Sequence, residues 1–184
     1  LVTTHLSAAA AMFSWILLEY LKNRKPSLVG ASTGLVAGLV AITPGAGFVS
    51  TWSAVIIGLL VSPVCFYAIA IVKHKLGYDD ALDAFGCHGV GGIFGGIVTG
   101  LFTTPELALD PDNIGLIYGN PRLFLVTIAA IVFTIVWSAG MTFVLMKGIS
   151  FFMPLRVSDR EEVIGLDDTE HGETAYPTFM GLDS

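Results

Sequence analysis

Asp79-Asp80-Ala81-Leu82-Asp83-Ala84-Phe85-Gly86-Cys87-His88-Gly89-Val90-Gly91-Gly92-Ile93-Phe94-Gly95-Gly96 is the stretch on which the reading of this chain turns. Three carboxylates lead into an apolar, glycine-dense run with a single histidine, and the following Ile97-Val98-Thr99-Gly100-Leu101-Phe102 carries no charge. Read as one membrane helix, the run holds His88 at depth, where ionisable groups are expensive and mark functional positions by default. Carboxylates at a helix start complement the partial positive charge there. Asp79, Asp80 and Asp83 stand at that start, and for Asp80 and Asp83 a structural, capping role is expected.

The rest of the composition agrees with a membrane setting. The 184 residues are 54% hydrophobic and 13% charged, about half the charged share of an ordinary soluble domain. The charges cluster and leave apolar runs at about 2–21, 27–42, 52–72, 84–102 and 123–146. Runs of this kind suit helices crossing a hydrocarbon core of ~30 Å. The expected fold class is all-α: a polytopic membrane protein with five transmembrane helices over 1–146 and a polar C-terminal tail over 147–184. The net charge of −6 comes from acidic groups concentrated in one loop and the tail, and no nucleic-acid partner is expected. Cys65 and Cys87 both fall in predicted membrane segments and imply no disulfide framework. Leu1 is not a methionine, and the chain opens inside an apolar run without a basic leader or a small-residue cleavage site. A fragment, or a chain whose beginning is missing, is the expectation.

Basic residues give the spans a direction. Five spans alternate sides, and one set of connections holds Lys22, Arg24, Lys25, Lys73, Lys75, Lys147, Arg156 and Arg160 against Arg122 on the other. The positive-inside rule puts the first set, and the tail, in the cytoplasm of a multi-pass protein of the cell membrane. His88 then lies five residues past Asp83, roughly 7 Å in from the cytoplasmic side by helical rise. Gly30, Gly34 and Gly38 repeat at four-residue spacing, a stripe that lets another backbone approach closely.

Residues four apart share a helix face, so Ala84, His88, Gly92, Gly96 and Gly100 form one line with His88 as its only large member. A neutral imidazole donates at one nitrogen and accepts at the other. Along an apolar lumen it is suited to hand on a small polar solute stripped of water. The other reading is a helix–helix hydrogen-bonder among packing glycines; composition and spacing leave both open. A metal site is disfavoured, because Cys87 adjoins His88 and should face elsewhere, and no second histidine lies in a span at comparable depth. His5, His74 and His171 read as solvated or capping groups. No cofactor is expected. Catalysis is not expected either: the three acids sit together at one helix end rather than converging. No nucleophile elbow, HExxH or glycine-rich phosphate loop is present.

The motifs also match a known family. Asp80-Ala81-Leu82-Asp83-Ala84-Phe85-Gly86-Cys87-His88-Gly89-Val90-Gly91-Gly92 resembles the tenth-helix signature of the Amt/MEP/Rh ammonium transporters, Amt branch. Gly38-Leu39-Val40-Ala41-Ile42-Thr43-Pro44-Gly45-Ala46-Gly47 resembles the end of the family's eighth helix. Trp137-Ser138 falls where the long eleventh helix carries such a pair. Glu161-Glu162-Val163-Ile164-Gly165-Leu166-Asp167-Asp168-Thr169-Glu170-His171-Gly172-Glu173-Thr174-Ala175-Tyr176 is similar to the Amt cytoplasmic tail.

The resemblance implies the second half of an eleven-helix fold, spans seven to eleven plus the tail, in a homotrimer with one pore per subunit. It implies passage of ammonium or ammonia, with methylammonium as analogue, through an apolar pore lined by a histidine pair of which His88 is one. Val36 and Ala84 fall at pore-lining positions and Thr43 close by, at the outer end of its helix. Asp80 and Asp83 match the acidic pair that starts the tenth helix. Arg156, Glu161, Glu162, Gly165, Asp167, His171, Gly172, Glu173 and Tyr176 fall in the tail that the resemblance makes regulatory, beneath the trimer where PII-type signal proteins dock. The first pore histidine, the outer recruitment site and the aromatic gate belong to the first six spans, which this chain lacks. The alternative implied by the same scaffold is a non-conducting ammonium sensor.

Overall fold

Helix ends are written locally. Ser27 and Ser50 each supply a side-chain oxygen to a backbone N–H three residues on, of Gly30 and Ser53, which the first turn would otherwise leave unpaired. Arg24 (φ 57°) and Gly77 (φ 65°) turn left-handed and close the helices before them. The computed structural model describes residues 1–173. Its helices are α1 (Val2–Asn23), α2 (Leu28–Ile42), α3 (Thr51–Leu76), α4 (Phe85–Phe102), α5 (Pro121–Ser150) and the short α6 (Asp159–Ile164). Among the described residues there is no strand, only an isolated antiparallel bridge between Val49 and Thr103.

Several helices overrun the hydrophobic runs, most of all at the C-termini of α3 (Leu76 against 72) and α5 (Ser150 against 146). α3 continues past Val72 through Lys73, His74 and Lys75, because charge does not break a helix; cations suit its negative end, and only Gly77 stops it. α5 begins at Pro121, where a missing N–H costs nothing. By length and composition α3, α4 and α5 are able to cross a membrane. α2 has 15 residues and reaches about 22 Å; as the run suggested, the chain leaves it at Thr43-Pro44-Gly45. α3 and α4 each contain a π-turn with i→i+5 bonding, at Ala68–Val72 and Phe85–Gly89; hydrophobic periodicity does not announce such turns.

The chain divides into two units, Leu1–Thr134 and Ile135–Ser184. In the first, small residues make the contacts. Ser7 donates to the Gly38 carbonyl (3.0 Å), Ser62 to Ala11 (2.6 Å), Ser14 to Leu59 (2.9 Å) and Thr3 to Ala46 (2.6 Å). A methyl added at Gly38 would sit 2.6 Å from the Ser7 carbonyl oxygen, and one at Gly58 2.2 Å from the same atom. α1 is thus clasped between α2 and α3 at backbone distance, as helices pack where lipid removes the usual hydrophobic drive. The core is mostly small: Ala11, Ala37, Ala41 and Ala54 are fully buried, with Ile42, Ile57 and Val61 between them. Large side chains such as Phe13, Leu60 and Trp52 face outward, the inverse of a soluble core.

In the second unit, Ser158 and Glu161 form a reciprocal capping box that starts α6. Arg156 pairs with Glu162 at 2.7 Å. Gly165 (φ 111°) leads from α6 to a π-turn over Asp167–His171, which Gly172 (φ 64°) ends.

Candidate functional site

α2 and the start of α4 enclose an open cavity of about 550 Å³. Its wall carries Val36, Ala84 and His88, three of the four residues singled out in the sequence as pore-lining, with Leu28, Val29, Ser32, Thr33, Leu82 and Cys87. Thr43 is not among the lining residues; its hydroxyl donates to the Leu39 carbonyl at 2.7 Å at the end of α2. Val29, Ser32, Thr33 and Val36 are three or four residues apart, so Val36 already implied its companions on the α2 face. Apart from His88 and the two hydroxyls, the wall is apolar or weakly polar.

One expectation is corrected. Cys87 does not face away from the histidine's space: both line the cavity, with the Cys87 thiol 3.6 Å from the Thr33 carbonyl oxygen. The π-turn Phe85–Gly89 widens the helix there and sets neighbouring side chains along one broad wall. The line of small residues divides in two. Nothing lies within 4 Å of a Cβ placed on Gly92, whereas one on Gly96 would meet Ile131 at 2.8 Å and one on Gly100 the Phe124 backbone at 3.0 Å. Only the Ala84–His88–Gly92 part borders open space; the outer part seats α5.

The start of α4 is tied down in an unusual way. One Asp80 carboxylate oxygen accepts the Ala84 N–H (2.8 Å), and the other accepts those of Phe85 (3.0 Å) and Gly86 (3.3 Å). Three donors that a helix N-terminus leaves unpaired are thereby satisfied by one side chain. Asp83 takes a left-handed backbone (φ 54°), which aspartate tolerates better than most residues. Its carboxylate meets the Lys73 ammonium at 2.7 Å, and Lys73 also donates to the Asp80 carbonyl. At 21% and 34% side-chain exposure, the pair contributes about 1 kcal/mol at most by itself. Its consequence is geometric, because it joins the end of α3 to the turn before α4.

The tail residues lie on ordinary local structure. Glu161 and Glu162 are on α6, Asp167 and His171 bound the second unit's π-turn, and Glu173 donates its N–H to the Asp167 carbonyl at 2.9 Å. The Ser158 hydroxyl, and then its backbone N–H, hold the Glu161 carboxyl below its usual value. Tyr176 lies outside the described residues. No cluster of histidine, cysteine and acidic side chains able to hold a metal occurs among the described residues.

Tightly packed apolar helices, three of them long enough to cross a membrane, and outward-facing large side chains define a polytopic α-helical membrane protein, with a histidine-bearing cavity between its helices. The family model described as "Ammonium Transporter Family" matches residues 1–176, and the chain belongs to that family. It is a family of transporters rather than enzymes. An ammonium transporter of Bacillus subtilis is 49% identical over 179 residues, covering 97% of this chain and 44% of its own length. One from Aquifex aeolicus is 44% identical over 176 residues, with 96% and 41% covered. The crystal structure of Saccharomyces cerevisiae Mep2 superposes with a TM-score of 0.79 at 33% identity, over 86% of this chain and 37% of that one. A structure titled "Sensor Amt Protein" does so at 0.81 and 27% identity, over 92% and 40%. The chain therefore spans less than half the length of these relatives.

Proposed function

We propose that the chain supplies the second half of an ammonium transporter. In this reading the cavity is one wall of a conduction path for ammonia, with Val36, Ala84 and His88 on it and Thr43 near its outer end. The observation that carries the reading is the convergence of those first three residues, from two helices, on one open, largely apolar space. His88 acts as one member of a histidine pair whose partner belongs to the remainder of the protein. A neutral imidazole offers a donor and an acceptor to a solute stripped of water without adding a charge. Asp80 and Asp83 act structurally, by starting α4. The complete protein is a trimer in the cell membrane with a cytoplasmic C-terminus, and the tail from Arg156 to Tyr176 meets PII-type proteins there. Five spans cross the bilayer within 1–146, and 147–184 form the tail.

The test is methylammonium uptake by the full-length protein carrying His88→Ala. Loss of uptake or altered selectivity is expected; unchanged uptake together with unchanged selectivity refutes the pore role. A sensor on the same scaffold is the second reading, raised by the fold this chain shares with the protein titled a sensor. Binding without flux in liposomes would decide for it, and measurable flux against it.

A further inference from the structure

Lys73 follows directly on the π-turn Ala68–Val72 of α3, and its ammonium reaches two acceptors in the turn before α4: the Asp83 carboxylate at 2.7 Å and the Asp80 carbonyl. An i→i+5 turn holds one residue more than an α-turn, which rotates everything beyond it by about 100° round the helix axis. Without that turn Lys73 would point away from this loop. The Asp83 N–H in turn donates to the Asp80 carbonyl (3.1 Å) and the Asp83 carbonyl accepts the Cys87 N–H (2.9 Å), while the Asp80 carboxylate holds the N–H groups of Ala84, Phe85 and Gly86. The second π-turn, Phe85–Gly89, begins on that frame and carries His88. The two π-turns also meet directly: a Cβ on Gly86 would lie 2.4 Å from Cγ1 of Ile69.

We propose that Lys73 is a positioning residue for His88: it pins the Asp80–Asp83 turn from which α4 starts, and so sets the direction in which the imidazole enters the cavity. The inference rests on the conduction reading of that cavity, and its test has one arm independent of transport. Lys73→Met removes the ammonium while keeping most of the stem, Lys73→Arg keeps the charge, and Asp83→Asn breaks the same ion pair from the other side.

In the first arm, the full-length protein in membranes is alkylated with N-ethylmaleimide and each cysteine peptide is followed by mass spectrometry. Cys87, buried on the π-turn beside His88, reacts several-fold faster in Lys73→Met and in Asp83→Asn than in the native protein. Cys65, buried in α3, does not change, and Lys73→Arg returns Cys87 to its native rate. In the second arm, methylammonium uptake at matched protein levels shows the maximal rate of Lys73→Met lowered about tenfold with the half-saturating concentration changed less than about twofold, and Lys73→Arg restores it. An unchanged Cys87 rate in Lys73→Met or Asp83→Asn overturns the proposal. So does equal acceleration of Cys65, which would mean that the helix pair had loosened as a whole, or an unchanged maximal rate in a protein that transports. A native protein that moves no methylammonium refutes the conduction reading instead, and the alkylation arm then decides the positioning role by itself.

Discussion

Replacing Asp80 offers the sharpest test of how α4 is started. Its two carboxylate oxygens accept three consecutive backbone N–H groups, of Ala84, Phe85 and Gly86, at 2.8, 3.0 and 3.3 Å. Loss of a capping acceptor costs about 1–2 kcal/mol, and loss of a negative charge at a helix N-terminus about 0.3–1 kcal/mol. Asp80→Ala should therefore destabilise the first turn by about 2 kcal/mol, roughly thirtyfold in its local opening equilibrium. Asp80→Asn keeps one acceptor oxygen and turns an amide donor toward the remaining N–H groups. About 1 kcal/mol, roughly fivefold, is expected for it. Hydrogen–deuterium exchange of the full-length protein, read on a peptide spanning residues 80–90, measures this opening directly, with a peptide from α5 as internal reference. Native-like exchange at Ala84–Gly86 in Asp80→Ala would refute the capping argument. Equal acceleration in the reference peptide would refute its local character.

Gly95→Ala sets a Cβ 2.5 Å from the Ala41 carbonyl oxygen, a backbone atom that cannot swing aside. Overpacking of about 1–3 kcal/mol, reduced by the roughly 1 kcal/mol that alanine gains over glycine in a helix, should lower the thermal unfolding midpoint; an unchanged midpoint would deny the close α2–α4 contact. At the tail, Glu161 has its folded pKa depressed by the Ser158 hydroxyl and N–H below the ordinary 4.5. Its capping contribution is accordingly complete above pH 4.5 and lost as the pH falls through the lower folded value. Amide exchange across Asp159–Ile164 should rise over that acid range in the native protein and be raised already at neutral pH in Glu161→Ala, which removes the acceptor of the Ser158 N–H. Exchange indifferent to both changes would contradict the capping box.

Much of the architecture was legible because its signals are local. Uncharged runs bounded by lysines placed the helices to within a few residues, whereas the Ser27 and Ser50 caps and the start of α5 at Pro121 were added by the structure. The stripe Gly30–Gly34–Gly38 announced a close helix contact, though not that its occupants are Glu19, Trp15 and Ala11 of α1. The cavity wall was only half legible. His88 and Ala84 came from the helical line, Val36 came from the motif resemblance and implied Ser32 and Thr33 by spacing on α2, and Cys87 came from the structure alone. The π-turn in α4 breaks the 3.6-residue period on which spacing rules depend, and for that reason Cys87 was assigned to the wrong face.

The sequence by itself determined a helical membrane chain, its family, and a histidine among small residues. Those properties follow from composition and short-range pattern, which need no knowledge of what lies across the fold. Only the tertiary structure decided that Gly92 borders open space while Gly96 and Gly100 seat α5, and that Lys73 reaches Asp83 across ten residues of chain. It also decided that Asp80 holds three backbone donors at once. The physical reason is the same in each case. Whether a small residue makes room or makes contact, and which carboxylate a lysine meets, depends on where neighbouring helices stand and on the added residue of each π-turn, and neither is encoded at the position itself.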